Sequence, residues 1–136
     1  MSELVSFDGD EMRLPEDKFD LDAVAQLAAA GFPAIAPVLD DLVVWVADGN
    51  WPVATPVADL LVSTGTGAIP ALRQVLQGSD AIHQYFMLLL VANRLPPDTA
   101  AALRGDLERL ATKPTTDQIR EGVSELAENI LQKRGN

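Results

Sequence analysis

The sequence predicts an all-α protein, built as a right-handed α-solenoid of about three helical hairpins and closed by a C-terminal capping helix. Apolar residues recur at helical spacing from residue 21 to residue 131, and no segment shows the sustained alternation typical of a strand. The chain also repeats itself at a period of 34 residues. That period corresponds to one helical hairpin per repeat, each stacking on its neighbour. A closed irregular bundle is the alternative.

The repeat is clearest between the first two segments. A shift of 34 residues brings Leu27 onto Leu61 and Gly31 onto Gly65, and the apolar positions that follow also coincide. A second shift keeps most apolar positions but places Asp106 on Leu72.

Two helices are predicted before residue 48. The first spans 21–30, with Asp20 as a plausible N-cap and Gly31 at its end. The second spans 33–47 and begins at a proline, which the first turn tolerates. Its apolar residues cover most of the helical circumference, so we expect it to be deeply buried.

The segment 48–50 is predicted to be a turn between helices. Gly49 is free to adopt a left-handed conformation there, and Asn50 or Trp51 can cap the helix that follows. That helix spans 52–63 and carries Pro56 in its interior, where proline is expected to bend it.

The remaining helices are predicted over 67–77, 81–93, 98–111 and 116–133. Asp80 is positioned to cap the helix over 81–93, whose composition indicates a central buried element. Thr115 and Gln118 have the spacing of a capping box. The last helix has one apolar stripe, typical of an element that covers a core on one side only.

The net charge of −10 lies entirely in the first half of the chain. Residues 1–59 hold 12 acidic and 2 basic residues, whereas residues 60–136 hold 8 of each. Such a surface repels phosphates and anionic lipids, so we expect no nucleic-acid and no membrane partner, and a basic protein partner instead. We assign 1–14 as an acidic, partly ordered lead-in and 15–136 as a single helical domain.

The sequence offers no catalytic constellation. There is no cysteine, and the single histidine, His83, has no orienting carboxylate or nucleophile at a recognisable spacing. We therefore expect no enzyme, no metal and no other cofactor. The N-terminus lacks the features of a signal peptide, and a cytoplasmic location is expected.

Candidate partner-binding residues lie between positions 40 and 59. They are acidic, amide or tryptophan side chains in the charged first half: Asp40, Asp41, Trp45, Asp48, Asn50, Trp51 and Asp59. For the two tryptophans, a core position at the hairpin junction is the favoured alternative. Capping of helix ends is the favoured interpretation of Asp48 and Asn50, so Asp40, Asp41 and Asp59 are the stronger candidates.

Two motifs resemble a bacterial family of unknown function. The first is Leu-Pro-Glu-Asp-Lys-Phe-Asp at 14–20, and the second is Asp-Gly-Asn-Trp-Pro-Val-Ala at 48–54. The resemblance covers about 14–95 and implies a small HEAT-like helical protein with no known catalytic residues. The chain departs from the family pattern at Phe19, where histidine is usual, and at His83 and Phe86, where tryptophan is usual.

Some members of that family resemble proteins that are encoded beside secreted toxins. The resemblance therefore implies an immunity protein that neutralises a cognate antibacterial toxin, the basic partner being a secreted toxin domain. A housekeeping scaffold or adaptor with the same fold is the alternative, and a lyase-like enzyme is a third, less favoured reading.

Overall fold

The computed structural model describes residues 4–7 and 10–134, and the side chains of residues 13–133. The chain opens with an antiparallel hairpin of two strands, β1 (Leu4–Phe7) and β2 (Asp10–Arg13). This hairpin was not predicted, because four-residue strands are too short to give a periodic pattern. The predicted lead-in and domain also include residues 1–3, 8–9 and 135–136, which lie outside the described residues.

Helices form the rest of the described chain, and the all-α class is confirmed for that body of the protein. The α-helices are α1 (Leu21–Ala30), α2 (Leu39–Leu42), α3 (Ala54–Thr64), α4 (Ile69–Leu76), α5 (Ala81–Leu90), α6 (Pro97–Ala100), α7 (Arg104–Thr112), α8 (Thr116–Arg120) and α9 (Val123–Arg134). Short 3-10 turns lie at Ala36–Val38, Val43–Val46, Gly65–Ala68, Ala92–Arg94 and Ala101–Leu103.

The predicted helix starts are confirmed wherever a side chain caps them locally. Asp20 accepts a hydrogen bond from the Ala23 backbone N–H, and Asp80 accepts one from that of His83. Thr115 and Gln118 form the predicted reciprocal capping box. These contacts span three residues, so the local sequence is sufficient to specify them.

The prediction of one long helix over 33–47 is wrong. The segment instead consists of the single turn α2 between two 3-10 turns. Pro37 lies in the first 3-10 turn and has no N–H to donate, so it cannot continue an α-helical ladder. The adjacent β-branched residues Val43 and Val44 also lower helix propensity.

Pro56, the proline predicted to lie inside a helix, is in fact a first-turn proline, as is Pro70. Because α3 begins at Ala54 rather than at 52, Pro56 is its third residue, and Pro70 is the second residue of α4. The N–H groups of a first turn have no intrahelical partner in any case, so proline costs little there. No bend is required at either residue.

Two of the later predicted helices are divided. The helix over 116–133 is interrupted at Gly122, whose φ of +86° belongs to the left-handed region and separates α8 from α9. The helix over 98–111 is interrupted by the 3-10 turn Ala101–Leu103. That stretch is alanine-rich, so packing rather than local propensity decides its conformation.

The central helix of the core is α5. It contacts α3, α4, α8, α9 and the 3-10 turn Val43–Val46, while α9 also packs along α7. Met87 and Leu88 of α5 are fully buried, as are Leu61 of α3, Leu76 of α4 and Ile130 of α9. No helix among residues 4–7 and 10–134 is long and apolar enough to cross a membrane.

Two buried polar clusters join helices in the second half of the chain. The Gln84 amide, which is 0% exposed, donates to the carbonyls of Val75, Leu76 and Gly78 at 2.8–3.3 Å and accepts from Gln118 at 3.0 Å. This cluster connects α5 with the end of α4 and with α8, and it satisfies carbonyls at a helix end that have no intrahelical partner.

The second cluster surrounds Asp106 of α7, which is 4% exposed. Its carboxylate accepts from Arg73 (3.1 Å), Gln77 (3.0 Å) and Arg109 (2.9 Å). Arg109 also donates to the Leu76 carbonyl at 2.8 Å. Burial alone would raise the pKa of Asp106, but hydrogen bonds from Gln77 and Arg109, together with the arginine charges, lower it.

Candidate binding surface

The candidate residues between positions 40 and 51, together with Val44, are all at least partly exposed, and we call this set the acidic face. It consists of Asp40, Asp41, Val44, Trp45, Asp48, Asn50 and Trp51. Asp59, the remaining candidate, lies on α3 and is described separately below.

An acidic and apolar stripe runs along the outside of α2 and the 3-10 turn after it. Asp40 and Asp41 are exposed, and Val44, one turn further on, is 53% exposed. Leu42 and Val43 on the other side are buried in the core. Neither carboxylate pairs with a basic side chain within the described part of the chain, so both charges are free to attract an approaching cation.

Trp45 and Trp51 form an edge-to-face pair at the end of this stripe. Their ring centroids are 5.9 Å apart and the ring planes are inclined at 61°. Both rings are half-buried and pack against the hydrophobic core. The sequence left two interpretations open for these tryptophans, core residue and exposed anchor. Each describes one part of the ring, since the buried part packs against the core and the rest is exposed, as is common for tryptophan at binding surfaces.

The turn between the tryptophans is held by Asp48. Its carboxylate accepts a hydrogen bond from the Asn50 backbone N–H at 2.8 Å, and its carbonyl accepts from the N–H of Trp51 at 3.1 Å. Asn50 is exposed and does not cap α3, whose N-cap residue, Val53, makes no side-chain hydrogen bond. The prediction that Asn50 or Trp51 caps this helix is therefore wrong.

The expected left-handed conformation of Gly49 is also wrong. The glycines with positive φ among the described residues are Gly31, Gly65 and Gly122. Gly49 is needed for a different reason: a Cβ atom there would lie 2.5 Å from the ring of Phe86. This close approach packs the 48–50 turn against α5. Phe86 also makes an edge-to-face contact with Tyr85, with the ring centroids 5.4 Å apart.

The two sequence motifs at 14–20 and 48–54 meet in the structure. The Val53 N–H donates to the Lys18 carbonyl at 3.1 Å, so the segment before α1 is attached to the start of α3. Within the first motif, Asp20 accepts hydrogen bonds from Arg13 and from the backbone of Glu16 and Ala23. The Arg13 hydrogen bond is the main cause that lowers the pKa of Asp20 to about 2.

His83 contributes to this surface in a way that the sequence did not indicate. Its Nε2 atom lies 2.8 Å from the Val43 carbonyl oxygen, which connects α5 with the segment that carries Asp40 and Asp41. His83 and Phe86 of α5 thus contact the segment that carries the acidic face at two points, the Val43 carbonyl and Gly49. The sequence shows that these two residues lie three positions apart and so share one face of a helix. It does not show their contacts, because their partners are about 40 positions away in sequence.

Asp59 differs from Asp40 and Asp41 because its carboxylate is paired with an arginine. It forms an ion pair with Arg94 at 2.8 Å, and both side chains are substantially exposed. Among the described residues, no group of three or more His, Cys, Asp or Glu side chains could hold a metal ion.

Comparison with known proteins gives a family but no activity. No curated protein matches the chain. A family model described as a domain of unknown function, DUF5071, matches residues 13–131, which include both motifs, the acidic face and all of the helices except the end of α9. The chain therefore belongs to the DUF5071 family.

Proposed function

We propose that the protein is a non-enzymatic binding module whose acidic face docks a basic protein. The observation that carries the proposal is the exposure of Asp40 and Asp41 beside Val44, with no described basic side chain paired to either carboxylate. Binding surfaces commonly combine an apolar contact with a charged rim, and this arrangement has both.

The tryptophan pair supplies the second component of such a surface. Trp45 and Trp51 are half-buried, packed against the core and in contact with each other, so their exposed edges are held rigid. Rigid tryptophans are frequent binding hot spots because they bury a large area with little loss of side-chain entropy. The carboxylates would then accelerate association and exclude acidic partners more than they would set the affinity.

We further propose that the helices form a HEAT-like solenoid and that the partner is a toxin. Gly31 and Gly65, which are 34 residues apart, both end a helix with a φ near +68°, which supports an internal repeat. The resemblance in the two motifs supports an immunity protein for a secreted toxin. In that role, binding alone is sufficient, since occluding a toxin surface needs no chemistry of its own.

Affinity purification from the native organism, with identification by mass spectrometry, tests the proposal. We expect a stoichiometric basic protein, encoded next to this gene, to be recovered with the wild-type chain. The variant Asp40→Asn/Asp41→Asn should slow association by about tenfold at low salt, because it removes two unscreened carboxylates from the surface.

A matched control is available on α9. Glu125→Gln/Glu128→Gln makes the same change in net charge at two exposed carboxylates without a described ion pair. If both variants slow association equally, the effect is one of net charge and the acidic face is not the docking site. If no stoichiometric protein is recovered, the binding function itself is contradicted.

Salt dependence gives an independent measurement. We expect the wild-type association rate to fall as the salt concentration rises from about 50 to about 500 mM, because exposed charges are screened beyond a Debye length of about 10 Å at 0.1 M. A rate independent of salt would remove the electrostatic part of the proposal and leave only the tryptophan contacts.

A further inference from the structure

An open groove lies between α1 and α3, on residues that the acidic face does not use. It has a volume of about 500 Å³. One wall is formed by Leu21, Val24, Ala25 and Ala28 of α1. The other is formed by residues of α3, chiefly Pro56, Asp59 and Leu60. The volume is in the range of pockets that receive several side chains of a ligand.

The walls of the groove are two matching helical stripes. On α1 the lining positions follow the spacing i, i+3, i+4, i+7, and on α3 they do so from Pro56 to Ser63. Val24 and Leu60 are buried and form the floor, while Ala25 and Ala28 are exposed and leave the groove open above it. A ridge of side chains at helical spacing fits between such stripes, as in ridges-into-grooves packing.

The apolar surface continues past one end of the groove. Leu21 is 48% exposed, and Phe19, two residues before it, is 65% exposed. The Lys18 ammonium lies 5.4 Å from the Phe19 ring centroid, so one face of that ring already contacts a cation of the chain itself. Two large apolar side chains within three residues of each other make an exposed patch of the kind that marks interaction sites.

The charges beside the groove are negative on both walls. The single charged residue of α1 is Asp22, and that of α3 is Asp59. Asp59 is paired with Arg94 from the turn after α5, but both side chains are exposed and such a pair adds little to stability. A cation of a partner can therefore bind the Asp59 carboxylate together with Arg94, or in its place, with little loss of stability.

We infer that this groove binds one face of a basic, amphipathic α-helix of the partner protein. Apolar side chains of the helix at i, i+3, i+4 and i+7 occupy the groove, and lysine or arginine side chains at its edges face Asp22 and Asp59. The inference rests on the proposed function in one respect, namely that the partner is basic. It adds the secondary structure of the bound segment and a second contact region.

A synthetic peptide tests the inference without knowledge of the partner. The probe is a helix of about five turns with leucine along one i, i+3, i+4, i+7 stripe and lysine elsewhere. We expect it to bind the full chain and to shift the NMR signals of α1 and α3. A peptide of the same composition with the leucines scrambled around the helix should bind at least about tenfold more weakly, and so should one with glutamate in place of lysine.

Substitutions on α1 locate the binding site. Ala25→Arg/Ala28→Arg fills the groove with long cationic side chains, whereas Gln26→Arg/Ala29→Arg adds the same charge at exposed positions outside it. Arginine is a good helix former, so both variants should fold. We expect the first to weaken peptide binding at least about tenfold and the second less than about threefold, since long-range electrostatics are the same in both.

The outcomes separate this inference from the proposed function. Equal weakening by the two arginine variants, or equal binding of the ordered and scrambled peptides, would contradict the groove as a docking site. Asp40→Asn/Asp41→Asn should leave peptide binding within about threefold of wild type, because the peptide addresses a different surface. If capture of the native partner depends on the acidic face and not on the groove, the proposed function stands and this inference fails.

Discussion

The two halves of the described chain use polar side chains in different ways. The buried polar residues, Gln84, Thr99, Asp106 and Gln118, all lie after position 60. Among the described residues before position 60, the buried side chains are apolar, and most acidic side chains are exposed. In the second half, charge and amide groups connect helices, whereas in the first half they face solvent.

Ion pairs, in contrast, occur in both halves. Asp106, Glu108 and Asp117 in the second half each pair with an arginine. In the first half, Asp20 pairs with Arg13 and Asp59 with Arg94, whereas Asp40 and Asp41 have no such partner among the described residues. Because acidic residues that stabilise a fold are generally paired or capping, the unpaired ones are available for a function outside the fold.

The largest effect is expected at Gln84. Replacing it by alanine leaves the Gly78 carbonyl and the Gln118 amide without the bond from Gln84, whereas the carbonyls of Val75 and Leu76 keep a second donor, and the free energy of unfolding should fall by about 2–4 kcal/mol. Urea denaturation followed by circular dichroism measures this. Gln26→Ala on the exposed surface of α1 is the matched control and should change stability by less than about 0.5 kcal/mol. Equal effects of the two substitutions would show that the buried cluster does not stabilise the second half.

A smaller loss is expected at Asp106. Asp106→Ala removes the acceptor shared by Arg73, Gln77 and Arg109. Breaking a buried ion pair is costly, but both arginines reach solvent, so we expect a loss of about 1–3 kcal/mol. Glu108→Ala, on the same helix, removes an exposed pair with Arg104 and should cost less than about 1 kcal/mol. A larger loss at Glu108 than at Asp106 would contradict the structural role of the buried cluster.

The sequence predicted the parts of the fold that depend on neighbouring residues. The caps at Asp20, Asp80 and Thr115 are contacts over three residues, and so they could be found. The Gln84–Gln118 contact spans 34 residues, and no local pattern marks it. Asp106 did leave a signal, because the 34-residue shift placed it on the buried position of Leu72.

The candidate site was predictable in its residues but not in its geometry. Composition indicated the acidic side chains, but it could not show that Asp59 is paired with Arg94 while Asp40 and Asp41 are not. The role of Gly49 was misread because a glycine in a turn usually indicates a positive φ, whereas here it makes room for Phe86. Close approach between distant residues is a tertiary property, which a single sequence does not display.

Asp20, unlike Asp40 and Asp41, is paired with an arginine, and acid titration should reveal the pair. Its pKa is lowered to about 2 in the folded protein from the usual 3.8. A lowered pKa means that its contribution to stability is fully present above about pH 4 and is lost as the pH falls towards 2. We expect Asp20→Asn to reduce stability at pH 7 by about 1 kcal/mol, because the ion pair with Arg13 is lost while the cap can persist.

The difference in stability between wild type and Asp20→Asn should therefore shrink as the pH falls from 4 to 2. Urea denaturation at a series of pH values measures it, with Asp80→Asn as the control for a cap residue that has no described arginine partner. A difference that stays constant down to pH 2 would exclude the Arg13 pair as its cause.

The smallest effect on stability is expected at Asp40 and Asp41. Neither carboxylate accepts a described hydrogen bond or ion pair, and the two charges are adjacent on one short helix. The double variant Asp40→Asn/Asp41→Asn should therefore unfold within about 0.5 kcal/mol of wild type, since the loss of a favourable helix-terminal charge is offset by the relief of repulsion. A loss above about 1 kcal/mol would mean that these acids serve the fold, and the contrast between the two halves would no longer point to a partner. An unchanged stability combined with slower association would instead assign their charge to binding alone.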